Sequence, residues 1–337
     1  MGYVLSQCVW EITLACCFSC KYCGSSANGM KRENELSTEE CLDVAAQLKE
    51  MGCRRVSLIG GEVFMRTDWP EIVESLTGRG ISVCIITNGF LFRPEHIDAL
   101  KRVGIESVAI SLDGPEEVHD KYRQKGSYER AVNAVKTLHA GGIPVSLIST
   151  LNHENAACLE SFLETVKGLG IFAWQLQACS PMGNAAKAGI DYAFDAKEVI
   201  AFVERHMNSV PFSLGIAHNI GYHTKNERIL RGDPSGKAYF TGCTAGLTTL
   251  GIDSIGNVRG CESMYDDCFI EGNVRERPLA DIWNDENAFA YNRKYKPAML
   301  TGKCAVCEKK GICAAGCRSY NHFVHGKLYE APACARD

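Results

Sequence analysis

The chain has 337 residues, 46% of them apolar and 23% charged, with a net charge of −4. This is ordinary globular composition, enough for one large domain and a smaller one; with no basic excess, nucleic acid is not an expected partner, and with no uncharged apolar run of ~18 residues, no membrane span is expected. The unusual number is eighteen cysteines, many at short spacings that suit shared metal centres better than disulfides. Residues 1–9 show no basic stretch ahead of an apolar one, so no signal peptide is read there and a reducing, anaerobic cytoplasm is the expected location.

Strands are predicted over residues 9–14, 55–59, 83–86, 107–112, 145–150 and 173–177, each a short apolar run. Helical stretches lie between them. Ser37, with Glu40 three residues later, reads as a capping box opening the first helix, with Leu42, Ala45, Ala46 and Leu48 on one face. Further helices are predicted over 69–76, 95–103, 128–140 and 154–168, and another opens at Asp195 with Glu198 three residues on. Six β–α repeats imply parallel strands with right-handed crossovers. Six are too few to close an eight-stranded barrel, so the predicted fold is α/β, a partial (β/α)6 TIM-like barrel.

After Gly242 the texture changes. Glycine and cysteine become dense, and the strands shrink to residues 247–252 and 257–259. Such a segment has little core of its own and leans on metal. The predicted organisation is a barrel over 1–210, a linker or bridging region over 211–242 and a cysteine-rich domain over 243–337. Gly232-Asp-Pro-Ser-Gly236 reads as a turn inside the bridging region.

At the end of the first strand the chain reads Cys16-Cys17-Phe-Ser-Cys20-Lys-Tyr22-Cys23. Three thiolates on one tight loop can hold three irons of a [4Fe–4S] cluster and leave the fourth iron open. A structural zinc loop would want four ligands in pairs. The Cys-x3-Cys-x2-Cys spacing of Cys16, Cys20 and Cys23 resembles the signature of the radical S-adenosylmethionine superfamily. The resemblance implies that the amino and carboxylate groups of the cofactor chelate the open iron. An electron from the cluster then cleaves the sulfonium, and a 5′-deoxyadenosyl radical takes hydrogen from the substrate. Cys17 is a fourth cysteine in the loop, but the family spacing selects Cys16.

Other residues at strand ends, where barrel sites are built, fit the same resemblance. Gly60-Gly61-Glu62 follows the second strand, and the family uses this stretch for the cofactor's amino group. The usual proline after the glutamate is Val63 here. Thr87-Asn88 follows the third strand, and Ser111 and Asp113 follow the fourth; they resemble contacts to the methionine and ribose parts. Arg123 and Arg130 are both candidates for the carboxylate contact. Tyr22 is expected beside the cluster and the adenine.

The C-terminal region carries Cys243, Cys261, Cys304, Cys307, Cys313, Cys317 and Cys334. These spacings resemble the SPASM extension of peptide-modifying radical enzymes, as does the stretch from Gly272 to Trp283. By the family's interleaved pattern, Cys304, Cys307, Cys313 and Cys334 hold an outer auxiliary cluster, and Cys243, Cys261 and Cys317 an inner one. With the barrel cluster this makes three [4Fe–4S] clusters. The family's fully ligated members have a further cysteine shortly before the position of Cys243; residues 236–242 contain none. Cys268 could supply the fourth ligand, or the site is open for substrate. Cys8, Cys41, Cys53, Cys84 and Cys158 are expected as small buried apolar residues. Cys179, following the sixth strand at the active-site end, is the suspected hydrogen donor should the reaction be an epimerisation.

Three functions compete. The first is oxidative modification of a ribosomally made peptide, a thioether or carbon–carbon crosslink, with epimerisation and formylglycine-type maturation as variants. The second is dehydrogenation of a small molecule such as an aminocyclitol. The third is a non-catalytic iron–sulfur scaffold, against which the intact cofactor motifs argue. Seven auxiliary cysteines favour the first. Glu262, directly after Cys261, matches the acidic residue that removes a substrate proton in formylglycine-forming relatives, and is a candidate general base. The barrel starts almost at Met1, so any leader would need a separate binding protein or a direct contact; a low-potential electron donor of the flavodoxin or ferredoxin kind is expected as well.

Overall fold

The computed structural model describes residues 2–221, 224–231 and 241–336. The turn expected at residues 232–236 lies outside them. Six strands alternate with helices: β1 (Gln7–Glu11), β2 (Arg55–Ile59), β3 (Ser82–Thr87), β4 (Ser107–Ser111), β5 (Val145–Leu151) and β6 (Ala173–Ala178). Each pairs in parallel with the next. A seventh strand, β7 (Ser213–Ile216), adds in parallel to β6 from within the span read as a bridging region.

The cysteine-rich segment continues the same sheet. Strand β8 (Thr249–Ile252) pairs in parallel with β1, from Gln7 opposite Thr249 to Trp10 opposite Ile252. Strand β9 (Asn257–Arg259) returns antiparallel to β8, and β10 (Gly272–Asn273) antiparallel to β9. The order is β10-β9-β8-β1-β2-β3-β4-β5-β6-β7, so β7 and β10 are edges and the barrel is open among the described residues.

Local chemistry explains most boundaries. Helix Thr38–Glu50 has the expected capping box of Ser37 and Glu40, and Arg275 adds an ion pair to Glu40 at 2.5 Å. The first strand stops at Glu11, short of the expected Leu14. Thr13 Oγ1 and the Leu14 N–H donate to the Glu35 carboxylate at 2.9 and 2.7 Å, which draws the chain off the sheet into the cysteine loop. The helix expected over 154–168 is two, His153–Ala156 and Leu159–Lys167, the first capped by Asn152.

One core serves both parts of the chain. Leu58, Val83, Ile110, Leu147 and Leu176 of the barrel share it with Leu250, Ile252, Val258, Leu279 and Trp283. Cys8, Cys41 and Cys53 are buried in it as small apolar groups, while Cys84 and Cys158 are half-buried. The C-terminal segment therefore uses the barrel's core to bury its own apolar face. A cavity of about 670 Å³ inside the sheet reaches Arg55, Ser107, Pro144 and Ser213, near the N-terminal ends of the strands. The cysteine loop follows the opposite end of β1, where sites on such barrels are built.

Gly251 shows how tightly β8 meets the Cys261 segment. A Cβ there would stand 2.4 Å from the Glu262 nitrogen and 2.8 Å from the Cys261 carbonyl carbon. Both are backbone, so neither can swing aside. Gly251→Ala is expected to cost about 1–3 kcal/mol by overpacking and to lower the iron content of the purified protein, as thermal unfolding and iron assay would show. A stable variant with unchanged iron would mean that the Cys261 segment sits elsewhere.

Candidate functional site

The cysteine loop is held on three sides. The Gly61 N–H donates to Thr13 O at 2.8 Å and the Glu62 N–H to Ala15 O at 2.7 Å, stitching the loop after β2 to the loop after β1. Cβ atoms on Gly60 and Gly61 would stand 2.7 Å from Thr13 O and 2.1 Å from Ala15 O, so only glycine allows this approach. The Lys21 N–H donates to Tyr122 O at 2.9 Å, and Asn184 reaches Cys20 O and Cys23 O at 3.0 and 2.9 Å.

Glu62 is fully buried. It accepts from Thr87 Oγ1 at 2.6 Å, the Asn88 N–H at 2.9 Å and the Phe64 N–H at 3.3 Å. Burial raises its pKa, against the pull of these donors. Glu62, Thr87 and Asn88 thus form one brace between the β2 and β3 ends. The Asn88 amide reaches on to the thiols of Cys17 and Cys16, at 3.5 and 3.8 Å.

A second brace lies across the loop. The Tyr22 hydroxyl donates to Asp113, which is also ion-paired with Arg123. Asp113 accepts in addition from the Thr150 N–H at 2.9 Å. Burial would raise the Asp113 pKa, but the Arg123 guanidinium more than offsets it and the net shift is downward. Arg123 lies over the Tyr22 ring at 5.5 Å, and Tyr22 stacks on Tyr122 at 5.7 Å. Arg130, by contrast, is exposed, with its guanidinium 5.6 Å from the Phe90 ring, which meets Phe18 of the cysteine loop. Ser111 ends β4, half-buried. Cys179 is buried in the same small cluster as Cys16, Cys20 and Tyr22.

The thiols converge in three sets. Cys16, Cys20 and Cys23 share the first loop. Cys243, Cys261 and Cys317 lie close enough to act on each other's ionisation. So do Cys304, Cys307, Cys313 and Cys334. Burial pushes Cys20, Cys317 and Cys313 up to about 12, and Cys261 up to about 11. Buried thiols as reluctant to ionise unaided as these four suit a metal centre that stabilises the thiolates. Backbone N–H groups point at sulfur in each set: Phe18 to Cys16 at 3.4 Å, Tyr320 to Cys317 at 3.4 Å, and Ala331 to Cys304 at 3.3 Å. Such donors tune iron–sulfur clusters. None of the eighteen cysteines is in a disulfide.

Sequence reasoning missed what separates the inner and outer sets. Between Cys313 and Cys317, Ala314, Ala315 and Gly316 have φ of 50°, 64° and 71°. Two alanines in this left-handed region cost about 1–2 kcal/mol each. Buried Arg318 donates to Ala314 O at 2.5 Å and buried Asn321 to Ala315 O at 2.7 Å, which holds the turn. Neither residue carries a motif that would announce it. Tyr320 was missed as well; it is buried where the charges of both Cys179 and Cys317 would act on its hydroxyl.

Two other candidates stand in unexpected surroundings. Cys268 is exposed and gathers with Asp266 and His322. Glu262 is only 2% exposed, and neither of its oxygens accepts a hydrogen bond among the described residues. The neighbouring Tyr265 hydroxyl donates instead to Glu11, at 2.9 Å. Burial first, then Glu11, raise the Glu262 pKa well above the carboxylate range.

His119 offers a pH test. Its Nδ1 accepts from the Asp113 N–H at 3.1 Å, so Nε2 carries the proton, buried with no partner among the described residues. Burial lowers its pKa to about 4 from 6.5. An unfolded chain gains a proton here below pH 6.5 while the folded chain does not, so stability falls as pH drops from about 6.5 toward 4. The full effect is on the order of 3 kcal/mol. In His119→Asn the loss of denaturant midpoint between pH 7 and 5 should shrink; an identical pH dependence in both proteins would refute the assignment.

A family model described as the radical SAM superfamily matches residues 10–166, and one described as an iron-sulfur cluster-binding domain, SPASM, matches residues 243–308. The chain is 27% identical over 340 residues to the AdoMet-dependent heme synthase of Methanosarcina barkeri, covering 96% of this chain and 95% of that protein. It is 29% identical over 327 residues to the mycofactocin maturase MftC of Mycobacterium tuberculosis, covering 93% and 78%. In fold it is similar to Streptococcus suis SuiB bound to S-adenosylmethionine, with a TM-score of 0.78 at 17% identity, over 98% of this chain and 76% of that one.

Proposed function

We propose that this chain, an enzyme that belongs to the radical S-adenosylmethionine superfamily and carries a C-terminal SPASM domain, oxidatively modifies a ribosomally made peptide by a thioether or carbon–carbon crosslink. The observation that carries the reading is the presence of three thiol sets, with buried Tyr320 close enough to feel the charges of both Cys179 of the barrel and Cys317 of the inner set. Cys16, Cys20 and Cys23 would hold the cluster that binds S-adenosylmethionine. Cys243, Cys261 and Cys317 would hold the inner auxiliary cluster, and Cys304, Cys307, Cys313 and Cys334 the outer one. When bound, the first cluster and its cofactor supply an adenosyl radical able to take hydrogen from an aliphatic carbon, which no ordinary side chain can do. The auxiliary clusters would supply an acceptor for the further electron that an oxidative outcome releases.

The chain's own residues position this chemistry. The Glu62 oxygens are occupied by Thr87, Asn88 and Phe64, so the Gly60–Gly61 backbone is left to meet the cofactor's amino group. Arg123 is committed to Asp113. Arg130, exposed beside Phe90, is the better carboxylate partner. Arg130→Ala is expected to weaken cofactor binding about 10–100-fold, as for loss of a charge-assisted hydrogen bond, with little change in thermal stability. Arg123→Ala leaves Asp113 buried and unpaired, and should destabilise by about 3–5 kcal/mol. Equilibrium dialysis and thermal unfolding separate the two; the reverse pattern would assign the contact to Arg123.

Peptide as substrate is supported by the maturase relatives and by the likeness in fold to SuiB, also solved bound to its precursor peptide SuiA. A tetrapyrrole is the second reading, favoured by the heme synthase relatives. A low-potential electron donor and a cytoplasmic location accompany either. The test is anaerobic incubation with S-adenosylmethionine, reductant and, in separate reactions, a precursor peptide encoded beside the gene and an iron porphyrin, read by mass spectrometry. Loss of two hydrogens from the peptide is expected. An unchanged peptide mass with one deuterium gained from heavy water would mean epimerisation, and turnover of the porphyrin alone would move the enzyme to the second reading. Protein with Cys16, Cys20 and Cys23 all changed to Ala should lose about four of about twelve irons and all cofactor cleavage.

A further inference from the structure

We propose that Asp266, Cys268 and His322 form a mononuclear site for a zinc-like divalent ion, separate from the three cysteine sets. One ligand atom from each residue lies within 4.8 Å of the others. The Asp266 carboxylate is at the centre of the group: Oδ2 stands 2.9 Å from His322 Nε2, and Oδ1 accepts from the Cys268 N–H at 3.1 Å. The thiol also leans on this carboxylate. Thiol and imidazole therefore converge on one oxygen-bearing point. A nucleophilic relay would need the imidazole between thiol and carboxylate, and here the carboxylate lies between the other two.

The donor set decides the ion. Thiolate, imidazole and carboxylate together suit zinc or its borderline neighbours and not magnesium or calcium, which take oxygen ligands. Three protein ligands leave one position of a tetrahedron for water. Cys268 is exposed, so ion and water can enter from solvent.

Backbone geometry sets this site apart from the inner cysteines. Asp266 caps a short helical turn, Asp267–Phe269. The buried Phe269 side chain of that turn packs in a cluster with Cys243 and Cys261. The edge of its ring also meets His322 at 4.9 Å. Phe269 is thus a wall between the Cys243–Cys261 pair on one side and the Asp266–Cys268–His322 group on the other. The two sites share chain segments all the same. Asp266 and Cys268 lie just beyond Cys261, and His322 lies on helix Arg318–His325, which Cys317 caps. An ion here clasps the segment carrying one inner ligand to the helix carrying another. Binding of the ion stands on this geometry alone, while the clasping role rests on the cluster assignment proposed above.

The experiment uses full-length protein reconstituted anaerobically with iron and sulfide, desalted, and titrated with zinc. Zinc and iron are counted separately, and the zinc K-edge gives its ligands. About one zinc per chain is expected, with a sulfur neighbour near ~2.3 Å and nitrogen or oxygen near ~2.0–2.1 Å. Cys268→Ser, His322→Ala and Asp266→Asn should each weaken zinc binding at least about tenfold with iron unchanged. Asp266→Asn keeps the side chain's shape and its bond to the Cys268 N–H, so zinc loss there with iron retained is not a folding effect. Equal zinc affinity in the wild type and the three variants, or a zinc edge without sulfur, overturns the site. Loss of iron in Cys268→Ser, with iron retained in the other two, also overturns it, by making Cys268 a cluster ligand. None of these readouts depends on the substrate, so failure here is distinct from failure of the peptide reading.

Discussion

From Gln7 to Trp10 the first strand is bonded in parallel to β8, a strand the chain reaches only after the barrel strands are complete. The pairing closes a very long loop, and that entropy must be recovered by what the closed form buries. Leu250 and Ile252 on β8, then Val258, Leu279 and Trp283, enter the barrel's own core, which is where the recovery comes from. The cysteine loop leaves the C-terminal end of β1. The strand beside it, β8, leads through β9 to Cys261. One ladder therefore sets the barrel loop and the inner cysteines in a common frame, with no hinge between them in that sheet.

The legible part of the sequence was the part governed by short-range rules. The βα repeat, the Ser37–Glu40 box and the cysteine spacings each act within a few residues, and the repeat unit and the cap stand as expected. The glycines at 60 and 61 were read as points of close backbone approach, and the distances to Thr13 O and Ala15 O give the reason. What stayed hidden depends on partners far along the chain. The end of β1 was misplaced by three residues because Glu35 captures Thr13 and Leu14. Strand β7 is four residues with exposed Ser213 at its start, too brief to show a period. The Tyr22–Asp113–Arg123 brace joins three segments, and no short-range pattern marks Asp113 and Arg123 as each other's partner.

The turn from Cys313 to Cys317 illustrates a different limit. Composition suggests nothing unusual in Ala-Ala-Gly, yet the alanines adopt a conformation that favours glycine. Arg318 makes this tolerable. It is almost fully buried, lies 4.7 Å from the Tyr329 ring and 5.2 Å from the Tyr295 ring, and donates to the carbonyls of Ala314 and Leu328. A short helix-breaking turn held by a buried cation lets Cys313 and Cys317 join different cysteine sets. An unstrained helix through the same residues would place Cys313 and Cys317 on one face, one turn apart.

Glu262 and Glu11 carry the same logic into the barrel wall. Two carboxyls sealed close together cannot both be charged cheaply, and the surroundings choose between them. Glu11 has the Arg32 guanidinium, the Ser254 N–H and the Tyr265 hydroxyl. Glu262 has no hydrogen-bond donor among the described residues, and Arg259, the cation that opposes its raised pKa, is itself ion-paired with Asp253 at 2.9 Å. These surroundings hold a proton on Glu262 more firmly than on an ordinary carboxyl. A carboxyl in that state is no base until something changes its environment, either by admitting water or by bringing a cation or a hydrogen-bond donor to its bare oxygens. A base role for Glu262 would follow such a change, and where the incoming substrate makes it, basicity would be a property of the complex and not of the free enzyme.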